Sequence, residues 1–346
     1  MTGARPNFMK VAPLIRAIKQ CAEASYTLVY AGREDDPTLE PTLFRDLDMP
    51  RPDIYLGADA PTLNELTGQV MLAFDRYLNT HPTDVVIVVD DLASTMATAI
   101  VTKKRGLRLA HLVAGTRSFD ISMPKEVNRL VIDGLSDYLF TAGQGGSSIA
   151  TREGAERERV FMVGNILIDN LRYLHSRMTR PDVADALGLN EGQYIVLTVN
   201  RRSLMADEPK LRQLTCTLRD TAAQYNINVV APLRGRAAQL LAPLVQVVEP
   251  LPYLQFGWLT AHALGVVTDS GNVAEESTFN GVPCITLNSY TEHIETVRQG
   301  TNVLVGEDAG QLHEAVEQMC RRQWKSSALP DLWDGRTAER IVRTIL

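Results

Sequence analysis

Short apolar runs rich in β-branched residues alternate along the whole chain with longer segments whose apolar positions recur every three or four residues. That alternation is the signature of parallel strands joined by crossover helices. Strands are expected at residues 26–31, 84–90, 108–113, 137–141 and 159–163, and again at 194–199, 226–231, 244–248, 264–268, 283–287 and 301–305. Runs such as Val85 to Val89 are apolar without a break, which implies strands covered on both faces. Between the two sets, residues 170–193 interrupt the pattern with Pro181, Asp182, Gly188, Asn190 and Gly192, so the interdomain connection is placed there. Trp333 to Leu346 reads as an amphipathic helix with Ile341, Val342 and Ile345 on one side. The fold class is therefore α/β, with two Rossmann-like doubly wound parallel-sheet domains and ligand expected in the cleft between them, at the C-terminal strand ends.

Length agrees with this division, since 346 residues suit two domains of about 150 each. The 41 acidic and 35 basic side chains leave a net charge of -6 without a long block of one sign, which argues against nucleic acid or a membrane surface as partner. No apolar run approaches the roughly 18 residues of a membrane span, and the first residues lack the pattern of a signal peptide. Cys21, Cys216, Cys284 and Cys320 are too scattered for a zinc site or a disulfide framework, so no metal is expected and a reducing cytoplasm fits best. No dinucleotide fingerprint is present either, and no cofactor is expected.

Two segments have the form of anion sites. Gly3 to Lys10 places small residues at a turn and then starts a helix, where amides at the N-terminus, Arg5 and Lys10 would favour a diphosphate. Asp269-Ser270-Gly271-Asn272-Val273-Ala274-Glu275-Glu276 follows a predicted strand and should open the next helix, with Ser270 and the Gly271 and Asn272 amides able to approach phosphate.

Residues 111–129, from His111-Leu-Val-Ala-Gly to Met123-Pro-Lys-Glu-Val-Asn-Arg129, resemble the HVEAGLRS and MPEEINR stretches of the non-hydrolysing UDP-N-acetylglucosamine 2-epimerases. The opening GARPNFMK and the DSGNVAEE segment are similar to that family's nucleotide-binding motifs. Further likeness lies in Val163-Gly-Asn, Gly281-Val-Pro-Cys and Gly300-Thr-Asn. The resemblance implies the two-domain GT-B-type arrangement, with domains at 1–172 and 173–328 and residues 329–346 crossing back as a helix onto the first. It implies a UDP-sugar bound by Arg5, Lys10, Asn200, Arg201, Phe256, Ser270, Gly271, Asn272, Glu276 and His293, with Phe256 against the uracil and Glu276 on the ribose. It also implies a homodimer.

Chemistry in that family inverts C2 of the sugar. The C2 proton leaves with UDP to form a 2-acetamidoglucal, and UDP is added back with a proton on the other face. Asp91 and Arg129 are retained from the family's catalytic set. Val113 replaces the Glu of HVEAG, Lys125 the first Glu of PEE, and Asn200 a His, while His293 stands at the Arg of TERPE. Val113 carries no proton, and Asn200 hydrogen-bonds but cannot act as a charged donor. A positioned acid or base is worth about 100 to 10,000-fold in rate, so any retained activity must be rerouted. Glu126 or Lys125 is the expected proton carrier beside Asp91 and Arg129, with His111, Asp120 and His293 as further candidates. His111, in a buried strand, is expected to be a core histidine.

Two other departures matter. Gly32-Arg-Glu-Asp-Asp36 lacks the Gln and His that many bacterial relatives carry near an activating substrate site. Family members also begin with a buried strand before Gly-x-Arg-Pro, yet only Met1 and Thr2 precede Gly3, from which an upstream start is expected. Isomerisation is thus the favoured activity. The rivals are a catalytically impaired UDP-sugar-binding protein and a UDP-sugar hydrolase or glycosyl transferase.

Overall fold

A computed structural model describes every residue from Met1 to Leu346. The chain forms two compact units, one of Met1–Tyr173 with Asp331–Leu346 and one of Leu174–Pro330.

In the first unit the strands are β1 (Val29–Tyr30), β2 (Ile54–Tyr55), β3 (Val85–Val89), β4 (Arg108–Leu112), β5 (Tyr138–Thr141) and β6 (Val160–Met162). Strands β3 to β6 form one parallel sheet in sequence order, and β1 pairs with β2. The first two residues connect these sheets. Thr2 donates its amide to Val29 and accepts from Ala31, both at 2.9 Å. On the other side the Met1 nitrogen donates to the Ile87 carbonyl at 2.8 Å. Met1 and Thr2 thus lie between β1 and β3, and the direction of winding reverses beside them. Strand β2 escapes a sequence reading because it is only two residues long, both half-buried, in the short stretch between Pro52 and Gly57.

The final helix runs over Thr337–Ile345, four residues later than the apolar pattern suggested, because Gly335 turns the chain at φ +77°. Its start is capped from a distance. Asp169 accepts from the Thr337 and Ala338 amides at 3.1 and 2.7 Å, satisfying two donors that a helix leaves open. The helix packs on Arg5–Lys19 of the same unit, with Ile341 fully buried.

The second unit contains β7 (Tyr194–Thr198), β8 (Asn228–Pro232), β9 (Gln246–Val248), β10 (Gly265–Thr268), β11 (Cys284–Thr286) and β12 (Asn302–Leu304). Their order is β12-β11-β10-β7-β8-β9, all parallel. Alternate strand residues enter different cores: Ile195, Leu197, Val229 and Val267 on one side, Tyr194, Val196, Val230 and Val266 on the other. Both faces are thus covered, as the unbroken apolar runs require. Winding reverses between β7 and β10, where a ligand site is favoured in such sheets. Thr198 and Thr268 pair there, with hydroxyls 2.7 Å apart.

Candidate active site

The turn after β3 and the helix Pro124–Leu135 bring together Asp91, Glu126, Arg129 and Lys125. Asp91 Oδ2 accepts from Arg129 Nε and Nη2 at 2.8 and 2.5 Å, a forked geometry that holds a carboxylate firmly. Asn128 donates to the Asp91 carbonyl at 2.8 Å, fixing the backbone as well. Lys125 Nζ lies 3.6 Å from Asp91 Oδ1, with its side chain 65% exposed. Glu126 is the reverse case, 3% exposed and fully occupied. Its carboxylate accepts from the Ser118 amide and hydroxyl, the Phe119 amide and Arg129 Nη1, at 2.8 to 3.1 Å. Burial pushes its pKa up, but the Ser118, Phe119 and Arg129 donors outweigh this and hold it below the ordinary range. Glu126 therefore anchors the 118–119 loop and Arg129, a different place from that of an open proton carrier.

Val113 sits at φ +72°, a left-handed conformation that costs a β-branched residue about 1–3 kcal/mol. The turn is shared with Gly115, also at +72°, where a Cβ would come within 2.2 Å of the Gly146 carbonyl oxygen. His111 is a satisfied core histidine, with Nδ1 2.5 Å from Asp133 and Nε2 3.0 Å from the Asp90 carbonyl. Asp120 is exposed and caps Ser122.

At the reversal of winding in this unit, Lys10 Nζ meets Asp90 Oδ1 at 2.6 Å, and Asn7 Nδ2 donates to Asp90 Oδ2 at 2.8 Å. Burial would raise Asp90, yet the Lys10 ammonium and the Asn7 amide keep it below the usual carboxylate range. Asn7 Oδ1 in turn accepts from the Gly3 and Ala4 amides at 2.9 and 3.1 Å. The helix start thus offers an anion fewer free amides than its sequence suggested, because a side chain of the same turn takes two. Arg5 Nε is buried without a hydrogen-bond partner.

In the second unit Asp269 plays a part parallel to that of Asp90. Its Oδ2 accepts the Asn200 and Arg201 amides at 2.8 and 2.7 Å, tying the end of β7 to the end of β10. Arg201 reaches Glu307 and the Leu287 carbonyl, whereas Asn200 is exposed. Ser270 precedes the helix Gly271–Asn280, and Asn272 lies inside it at negative φ, so its side chain introduces no backbone strain. Glu276 is buried on that helix. Burial first, and repulsion from Glu275 second, push its pKa up to about 8, with Tyr253 opposing. Phe256 is half-buried against the core that includes Tyr194 and Val266. His293 Nδ1 is 2.7 Å from Glu275 Oε1.

Sequence reasoning overlooked Asp90, Asp269, Ser118 and Glu275. Adjacent acids at a strand end, Asp90-Asp91, and on a helix, Glu275-Glu276, were the available signals; which partner each carboxylate meets is decided only by the fold.

Two parallel sheets with reversed winding, each presenting charged groups at its strand ends, define a doubly wound, Rossmann-type α/β fold. The family model for UDP-N-acetylglucosamine 2-epimerase matches residues 16–346, and the chain belongs to that family. The UDP-N-acetylglucosamine 2-epimerase of Methanocaldococcus jannaschii is 30% identical over 99% of this chain and 97% of its own length. The UDP-2,3-diacetamido-2,3-dideoxy-D-glucuronate 2-epimerase of Pseudomonas aeruginosa is 33% identical over 88% and 86%. A crystal structure of the Methanocaldococcus jannaschii enzyme with UDP-GlcNAc and UDP superposes with a TM-score of 0.85 at 31% identity, covering 99% of this chain and 97% of that one.

Proposed function

We infer that this protein is an isomerase interconverting UDP-N-acetylglucosamine and UDP-N-acetylmannosamine, or a close analogue, by inversion at C2. Both relatives are named as 2-epimerases of differently substituted sugars, which makes C2 the shared reacting carbon and the other substituents the variable. The observation that carries the reading is the Asp91–Arg129 fork, a buried carboxylate kept in one orientation with its second oxygen toward Lys125.

In this mechanism Asp91 removes the C2 proton as the bond from C1 to the diphosphate breaks. Arg129 orients Asp91, while Arg5 and Lys10 offset diphosphate charge, Lys10 exchanging Asp90 for the ligand. Inversion needs a second proton carrier. Lys125 is the remaining titratable side chain of the cluster that is open to a ligand, and it returns the proton to C2; Glu126 acts through the loop and arginine that it positions. Ser270, Gly271, Asn272, Asn200, Arg201 and His293 serve the diphosphate, Phe256 the base and Glu276 the ribose. A homodimer working in the cytoplasm completes the reading, and light scattering of the purified protein tests the dimer. No helix of the chain is long and apolar enough to cross a membrane.

Proton NMR with UDP-N-acetylglucosamine in deuterated water tests the activity. Formation of the manno isomer with deuterium at C2 is expected. UDP binding without exchange would instead favour a binding protein, a reading to which the apolar Val113 lends weight, and release of UDP with free sugar would make the protein a hydrolase.

A further inference from the structure

An imidazole lies against the start of the helix Gly271–Asn280. His293 precedes the short helix Ile294–Arg298, and its Nδ1 is engaged by Glu275 Oε1 at 2.7 Å, with the carboxylate side chain only 6% exposed. Glu275 lies one helical turn beyond Gly271, so the ring is drawn toward the helix start. A Cβ on Gly271 would fall 2.5 Å from both Nε2 and Cδ2 of His293, and a residue with a side chain could not stand there without moving the ring. With Nδ1 committed to the carboxylate, Nε2 belongs to the edge that lies against Gly271, beside amides that an α-helix leaves without internal partners. The His293 side chain is 19% exposed. Position 200 meets the same strand ends, since the Asn200 amide is bound by Asp269, the residue before Ser270.

We propose that His293, oriented by Glu275, is the catalytic acid for the departing diphosphate, taking over the charged-donor role that Asn200 cannot perform. The inference rests on the epimerase reading above. In the forward step the C2–H electron pair becomes the C1–C2 double bond and the proton passes to Asp91. The C1–O bond breaks with its pair left on the β-phosphate oxygen, and the Nε2 proton of the imidazolium moves to that oxygen. The products are UDP and 2-acetamidoglucal, with His293 neutral. On re-addition the phosphate oxygen attacks C1 and returns its proton to Nε2. Glu275 is the positioning residue: it fixes the ring and stabilises the imidazolium, as a buried carboxylate does for a catalytic histidine. Glu275 touches the ring directly, Glu276 adjoins it on the helix, and Glu292 and Glu295 flank His293 in its own segment.

The test compares epimerisation rate, its pH profile and UDP affinity by calorimetry in the full-length protein and four variants. Wild type inactive toward several UDP-N-acyl sugars would overturn the epimerase reading itself. With wild type active, His293→Gln is expected to lower kcat by about 100 to 10,000-fold, change UDP Kd by less than about tenfold, and remove the imidazole's step from the alkaline fall in kcat, leaving only the step at higher pH that Lys125 sets. Glu275→Gln should lower kcat less and move the imidazole's step to lower pH. Adding Asn200→His to the His293→Gln variant should recover part of the lost rate. Unchanged kcat in His293→Gln overturns the proposal, as does a loss of rate matched by an equal loss of UDP affinity. His293→Arg decides the matter even where the Gln variant does not fold. It keeps the charge but holds its proton near neutral pH, so wild-type turnover in that variant would refute acid catalysis.

Discussion

Glu276 provides a quantitative test of the nucleotide site in the ligand-free protein. Burial, aided by Glu275, raises its pKa from the ordinary 4.5 to about 8. Below pH 4.5 the carboxyl is neutral in both folded and unfolded chains and contributes no pH dependence. Between pH 4.5 and 8 the unfolded chain releases the proton while the folded one retains it, so stability falls as pH rises. At about 1.4 kcal/mol per pKa unit, the loss has an upper bound of about 5 kcal/mol above pH 8 and about 3 kcal/mol at pH 7. Glu276→Gln keeps a neutral group of the same size and removes this loss. Urea unfolding followed by a probe in the second domain should show the variant gaining stability over wild type at pH 8 and little at pH 4.5. Binding should show the opposite preference, because a carboxylate accepting both ribose hydroxyls favours ionisation. UDP affinity of wild type is expected to rise between pH 6 and 8 with proton release, and the Gln variant to bind more weakly with a flat profile. Parallel pH dependences of stability in wild type and variant would refute the reasoning, since the raised pKa would then belong to no group at this position.

Further outcomes follow from the rest of the site. Asp91→Asn should abolish deuterium exchange at C2 while leaving UDP affinity within a few-fold, and calorimetry beside NMR checks both; unchanged exchange removes Asp91 from the mechanism. Val113→Gly should raise stability by about 1 kcal/mol, the left-handed strain relieved less the backbone entropy of glycine, as read from urea midpoints. Asp169→Ala strips both caps from the helix Thr337–Ile345 and should cost about 1–2 kcal/mol, with faster hydrogen exchange across those residues. Initial rates should rise hyperbolically with substrate, since residues 32–36 lack the family's activating Gln and His; a sigmoidal curve would count against that.

Which parts of this molecule can be read from its sequence depends on whether the signal is periodic or relational. Unbroken runs such as Tyr194 to Thr198 carry their own evidence of burial on both faces, and the cores on the two sides of β7 to β10 follow from them. Motifs that resemble a family's are equally visible, which is why Asp91, Arg129, Ser270 and Glu276 stand out before any fold is known. What a side chain does once placed depends on partners far away in sequence. Asn7 reads as a helix residue, yet its two amide atoms take the Gly3 and Ala4 donors and hold Asp90, 83 positions later. Glu126 reads as a free acid and is instead saturated by a loop eight residues upstream. In both units an aspartate spans the reversal of winding: Asp90 binds the helix start, and Asp269 binds the end of β7. Each carboxylate occupies donors at the strand ends, and in the proposed binding mode a diphosphate would compete for them. If binding displaces Lys10 from Asp90 as proposed, replacing this carboxylate by an amide should tighten UDP more at low than at high ionic strength, and equal effects at both would refute the displacement.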